Sequence, residues 1–257
     1  MTRDDLNKQG STLRDELGLR ESAIGASIGL DTFLNESRYG AVWSRGVLTL
    51  KERMICTLAA LAALARSEEL PQMIEAALRI DVEARAIVEV FVQAGLYGGY
   101  GAAENAIEQA QRVFADRGVA LPKEAPRTDS LETLAERGRA FSVELHGELG
   151  TQGYASPDNP VTGELYSLAT QYGYGELWMR PGLDRRERLF CALASFTVLG
   201  LESQLRKFSL SALRIGFTQQ DVIEAVIQTA PYGGFPRALN ALAVFGEAPG
   251  NPGLPGA

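Results

Sequence analysis

The chain has 257 residues, is 46% hydrophobic and 22% charged, and carries a formal net charge of -7, which excludes a disordered chain and a general affinity for nucleic acid or anionic membrane. Two cysteines exclude a disulfide framework and fit a reducing, cytoplasmic setting, and the single histidine, His146, excludes a multi-histidine metal site. The longest apolar run, Met54 to Ala65, falls short of the ~20 residues of a membrane span, and no charged start followed by an apolar stretch suggests a secretory signal.

Taken in chain order, the elements occur twice. Tyr39-Gly40, Trp43 and Arg45 return as Tyr174-Gly175, Trp178 and Arg180, a constant offset of 135 residues. Thr49 and Glu52, like Asp184 and Glu187, have the spacing of a capping box and open a Leu/Ala-rich helix. The first of these is apolar nearly all round, so it is expected to be buried. Cys56 and Cys191 lie inside this helix pair. A second helix is expected over Leu70–Ile80 and Leu205–Ile215, stopping at Asp81 and Gly216. The stretch from Asp116 to Asp129, with Gly118, Pro122 and Pro126, is the expected linker. Thr133–Leu149 has a helical pattern interrupted by Gly138 and Gly147, and Gly150–Pro160 is an expected loop. In the second copy, Thr218 starts a third helix with an apolar stripe of Val222, Ile223, Val226, Ile227 and Ala230. Tyr232-Gly233-Gly234, matching Tyr97-Gly98-Gly99, then breaks the chain, and Pro236 sits in the first turn of a fourth helix. Pro249–Ala257 is expected to be a flexible tail. No period-two alternation occurs, so the fold is all-α: a tandem duplication, residues 1–115 and 130–248, joined by a linker at 116–129 and packed as a pseudo-dimer.

The segment Tyr174 to Arg188, then Ala212-Leu-Arg-Ile-Gly216, Asp221 to Glu224 and Gln228 to Pro236, resembles the repeat of the γ-carboxymuconolactone decarboxylase family. That resemblance implies an AhpD-like all-helical fold and a homo-oligomer, a trimer or dimer of tandem chains. It also implies a histidine eight residues before the glycine ending the second helix, with a glutamate four residues earlier. This chain has Phe208 and Met73 at the first position and Gln204 and Glu69 at the second, so the family's imidazole is missing from both copies. The Cys-x-x-Cys of the superfamily's redox branch is missing too, which argues against a thiol peroxidase.

The candidate site residues follow from chemistry. Arg45 and Arg180 suit a carboxylated or enolate-forming substrate, because a guanidinium makes permanently charged bidentate bonds; Arg53 and Arg188 look more like bridges between helices. Tyr97 and Tyr232, beside a backbone break, are candidate proton or hydrogen-bond donors. Glu69 is a candidate acid or base if burial raises its pKa. Trp43, Met73, Tyr100, Trp178, Gln204, Phe208 and His146 are candidate substrate-binding residues, and Lys207 is weighed as a weak replacement for the missing histidine.

Three functions remain open. One is a cofactor-independent lyase or isomerase acting on a small carboxylated, lactone or enolisable substrate. Another is a cyclase of specialised metabolism that works by holding its substrate in an apolar pocket. The last is a non-catalytic helical binder of small molecules. The differences between copies lead us to expect one working pocket and one structural one.

Overall fold

The computed structural model describes residues 1–20, 28–121, 123–124, 127–156 and 158–248; the expected tail and the linker prolines Pro122 and Pro126 lie outside them. Among the described residues every regular element is helical. The first repeat comprises α1 (Arg3–Leu17), α2 (Leu30–Leu34, continuing as a π-helix over Asn35–Trp43), α3 (Leu50–Ala63), α4 (Leu70–Arg79), α5 (Ala84–Gly98) and α6 (Tyr100–Arg117). The second repeats that order: α7 (Leu131–His146), α8 (Gly163–Leu168, continuing as a π-helix over Ala169–Tyr174), α9 (Arg185–Leu199), α10 (Glu202–Arg214), α11 (Gln219–Gly233) and α12 (Phe235–Gly246).

Both expected capping boxes form, with Thr49 and Asp184 accepting from the backbone N–H of Glu52 and Glu187, and Thr218 caps α11 in the same way. The Leu/Ala helices α3 and α9 are buried on every face from Met54 to Ala63 and from Leu189 to Val198, as their lack of a polar side requires. They pack on each other at the centre. Besides packing within their own repeats, α5 also lies on α9, and α11 on α3. The two halves therefore share one core.

Several boundaries differ from the sequence reading. Helix α6 runs through Asp116, so the linker begins at Gly118, the left-handed C-cap. Helix α10 starts three residues before Leu205. The helix expected over Thr133–Leu149 ends at His146 and is followed by a 3-10 turn at Gly147–Gly150, and a second 3-10 turn at Gly153–Ala155 lies in the expected loop. Helix α7 spans Gly138 without a break, because that glycine is a contact point: a Cβ there would lie 2.1 Å from the Thr170 carbonyl oxygen. Gly10 has the same relation to Asn35, at 2.0 Å. Helices α1 and α7 are therefore counterparts, each pressed against the π-helix of its own repeat.

Candidate active site

The arginines expected to hold substrate are instead bound to carboxylates of the opposite repeat. Arg45 Nε donates to both Glu224 oxygens at 2.8 and 2.9 Å, and Arg53 Nη2 donates to the same carboxylate at 3.1 Å. Arg53 Nη1 also donates to Gln228 at 2.9 Å. The other half mirrors this set, with Arg180 on Glu89 at 3.0 Å and Arg188 donating to Glu89 and Gln93. Burial alone would push the Glu224 pKa up, but the Arg45 and Arg53 guanidiniums hold it below the usual carboxylate range. Arg45 and Arg180 thus join Arg53 and Arg188 as fasteners, and the corresponding expectation is corrected: a guanidinium already paired with a buried carboxylate has its fork occupied.

The aromatic candidates are exchanged between halves. Tyr232, from α11 of the second repeat, accepts a hydrogen bond from Trp43 Nε1 at 2.9 Å. Tyr97, from α5 of the first, sits edge-on to Phe196 and Phe208, with ring centroids 4.5 and 6.4 Å away, and its hydroxyl accepts from Gln93. Burial pushes both phenols well above their ordinary pKa, so each is a neutral donor or acceptor near pH 7. Phe208 also packs on Trp178 and on His146, at 6.1 and 4.7 Å between centroids. The chain's one imidazole therefore lies against the position where the family resemblance looks for a histidine, though it arrives from α7. Burial first, then the nearby Lys207 and Arg214 charges, hold His146 down to about 3. It is neutral and fully bonded: Ser211 Oγ donates to the Lys207 carbonyl and is left to accept from Nδ1 at 2.7 Å, so Nε2 accepts from Tyr174 at 2.8 Å.

Around this shared frame the two repeats diverge. In the first, Arg38 lies over the Tyr232 ring, 5.0 Å from its centroid, and reaches Glu69 at 3.8 Å. Glu69 is also paired with Arg66 at 3.3 Å, and Met73 is fully buried. The counterparts of Arg38 and Glu69, at the 135-residue offset, are Gly173 and Gln204, so charge and counter-charge disappear together. Arg14 of α1 is buried beside Tyr39 and donates to Asn35 at 2.7 Å. Its counterpart on α7, placed by the Gly10 and Gly138 contacts, is Ser142, and that of Asn35 is Thr170.

The exchange of arginine for serine coincides with a cavity of about 280 Å3, mostly apolar, between α7, α8 and the 3-10 turns. Ser142, Thr151, Tyr166, Ser167 and Thr170 supply hydroxyl-bearing walls, and Arg139 stands among the lining residues. The Ser142 hydroxyl is buried and lies beside Tyr166, whose phenol it influences. Arg139 is exposed and makes no ion pair among the described residues. Behind Tyr166, Lys207 Nζ lies 3.2 Å from the phenol oxygen and 5.3 Å from the Tyr154 ring centroid. Burial pulls Lys207 down to about 8 and raises the Tyr166 phenol.

Of the sequence candidates, Tyr97, Trp178, Phe208 and His146 come together in one aromatic cluster around Phe208, none of them lining the cavity, and Trp43 and Tyr232 meet in the other half. Tyr100, expected to line a pocket, opens α6 at the surface, 61% exposed; as the first helical residue it projects from the helix end. Cys56 and Cys191 are fully buried and free. Arg139, Ser142, Tyr166 and Thr170 were not found from sequence. The chain's own duplication held the signal, but α1 and α7 are related by a different offset from the rest, so a fixed-offset comparison does not align Arg14 with Ser142.

Two fused helical repeats that exchange tyrosines across a shared core define an all-helical, tandem pseudo-dimeric protein. The model of the carboxymuconolactone decarboxylase family matches residues 29–112 and again 163–247, and the chain belongs to that family. It is 30% identical over 111 residues, 43% of this chain and 83% of the relative, to the 4-carboxymuconolactone decarboxylase of Acinetobacter baylyi. It is 32% identical over 87 residues, 33% of this chain and 59% of the relative, to a nitrosuccinic acid decarboxylase of Metarhizium robertsii. The crystal structure of a Burkholderia xenovorans protein assigned as a gamma-carboxymuconolactone decarboxylase subunit has the same fold, with a TM-score of 0.52 at 22% identity, covering 91% of this chain and 95% of that one.

Proposed function

We propose that the protein is a cofactor-independent lyase that removes carbon dioxide from a small carboxylated substrate in the cavity of its second repeat. The observation that carries this reading is the conjunction of an arginine without an ion pair among the described residues with five hydroxyl-bearing residues around one apolar space. Arg139 binds the carboxylates that are not lost, leaving the scissile one in apolar surroundings, where a charged group is poorly solvated and its departure as neutral carbon dioxide is favoured. The electron pair released moves onto an adjacent carbonyl oxygen. Tyr166, kept protonated by burial, donates to that oxygen, and Ser142 adds a second donor. A proton then returns to carbon.

The volume argues for this reading over a cyclase. At about 280 Å3 the cavity is at the lower edge of the ~300–1,000 Å3 range of ligand pockets, suited to a short acid rather than a folded polyene. Release of carbon dioxide from a panel of three- to seven-carbon oxo and unsaturated acids tests it. Arg139→Gln is expected to raise KM at least tenfold, and Ser142→Arg, which gives the second repeat the side chain of the first, to abolish turnover. Carbon dioxide release from none of these acids, or full turnover in Ser142→Arg, sinks the proposal.

A further inference from the structure

Lys207 is the one buried lysine among the four in the chain; Lys8, Lys51 and Lys123 are exposed. Buried ammonium groups are normally paired with a carboxylate, yet no acidic group lies within ion-pair distance of Lys207 among the described residues. Its polar contact is the Tyr166 hydroxyl at 3.2 Å, and its nitrogen lies 5.3 and 5.4 Å from the Tyr154 and Tyr166 ring centroids. Tyr166 is at the same time a wall of the second-repeat cavity. An amine one hydrogen bond from a substrate-sized space, without a counter-ion to hold its charge, has the setting of a nucleophilic lysine.

We propose that Lys207 attacks the carbonyl carbon of a 3-oxo acid bound in this cavity and carries the decarboxylation through an imine, which rests on the reading of the cavity as a decarboxylase site. The free amine adds to the ketone, and the carbonyl oxygen takes up a proton, gains a second and leaves as water, giving a protonated imine. The bond to the scissile carboxylate breaks, and its electron pair flows into the imine, which replaces the carbonyl oxygen as the electron sink, to give an enamine as carbon dioxide departs. Protonation at carbon restores the imine, and one water hydrolyses it to the ketone and the free amine. Tyr166, hydrogen-bonded to the nitrogen, is placed to pass the protons of carbinolamine formation and breakdown. Burial supports this role, because it lowers Lys207 to about 8 and leaves part of it unprotonated near neutrality.

The test uses the full chain, 3-oxoglutarate as the probe, whose second carboxylate is left for Arg139, and cyanoborohydride to reduce any imine, followed by peptide mass spectrometry. We expect a reduced adduct on Lys207 in preference to Lys8, Lys51 and Lys123, with progressive loss of carbon dioxide release. Lys207→Met and the charge-keeping Lys207→Arg are expected to lose the adduct, with helical circular dichroism reporting their folding. An unmodified Lys207 in wild-type protein, or labelling equal to that of the three surface lysines, overturns the proposal, and neither result depends on a variant that folds. Carbon dioxide release that continues without an adduct overturns the imine and leaves the decarboxylase reading standing. An adduct on Lys207 with no carbon dioxide released from any acid supports the nucleophile and removes the decarboxylase.

Discussion

Replacing Glu224 with alanine tests whether the paired arginines fasten the repeats or serve the substrate. The change removes the carboxylate that receives Arg45 and Arg53, whose side chains are 41% and 1% exposed. Removing one partner of a buried ion pair costs ~3–5 kcal/mol, because the other charge stays buried. Arg45 recovers water, and Arg53 keeps Gln228 at 2.9 Å and the Arg45 carbonyl, so the lower end, ~3 kcal/mol, applies. At ~2–4 °C per kcal/mol for a chain of this size, Tm should fall by about 6–12 °C. Scanning calorimetry or thermal circular dichroism reads this directly, with Glu108→Ala as the control: the Arg112–Glu108 pair is 64% and 59% exposed, and such pairs contribute ~0–1 kcal/mol. The sign with pH is also fixed. Burial opposes ionisation of Glu224, but its two arginines lower its folded pKa, so its contribution is present above the unfolded value of ~4.3 and is lost as pH falls through the folded one. The gap between wild type and variant should therefore narrow only in acid. A loss no larger than the Glu108→Ala control, or a gap that widens in acid, refutes the reasoning.

Three further outcomes follow from the same contacts. If Lys207 acts as a free amine, log kcat/KM should rise with unit slope up to about pH 8 and then level; the groups beside it, His146 held to about 3 and Tyr154 and Tyr166 raised by burial, do not titrate in that window, so a flat profile from pH 6 to 8 would count against the amine. Burial pushes the Cys56 and Cys191 thiols up, so a chromogenic disulfide at pH 8 should react with neither in native protein and with both in denaturant, and the double alanine variant should keep full turnover. Gly138→Ala would put a Cβ 2.1 Å from the Thr170 carbonyl oxygen and, by forcing α7 off α8, should cost about 1–3 kcal/mol in urea unfolding; an unchanged midpoint would show that α7 yields without loss.

The fold was legible because duplication made each element testable against its copy, and because capping boxes and an all-apolar helix are local signals with one structural outcome. The site was less so. Arg45 and Arg180 have the chemistry of substrate anchors, and only the crossing of the repeats brings Glu224 and Glu89 within reach; nothing in sequence spacing reports that swap. His146 looked isolated because its partners Tyr174, Phe208 and Ser211 come from elements 28 to 65 residues away. The π-helical stretches over Asn35–Trp43 and Ala169–Tyr174 carry Tyr39, Trp43 and Tyr174, and the extra residue per turn that orients them leaves no signature in hydrophobic periodicity.

The pattern of what is shared and what is not bears on how fusion shaped the site. The fasteners are identical in pairs: Arg45 with Arg180, Arg53 with Arg188, Glu224 with Glu89, Gln228 with Gln93. The arginines make the same bonds to glutamate and glutamine in both halves, because the interface needs both to bury its charges. Other matched positions differ: Arg14 and Ser142, Asn35 and Thr170, Arg38 and Gly173, Glu69 and Gln204, Met73 and Phe208; of the second-repeat members, Ser142 and Thr170 line the cavity. In a symmetric dimer of one short chain, any substitution appears in both sites, so an arginine that fills one fills the other. Covalent fusion removes that constraint while retaining the interface that two copies require. One half can then keep its buried arginine, and the other can trade that arginine for a serine and open a cavity.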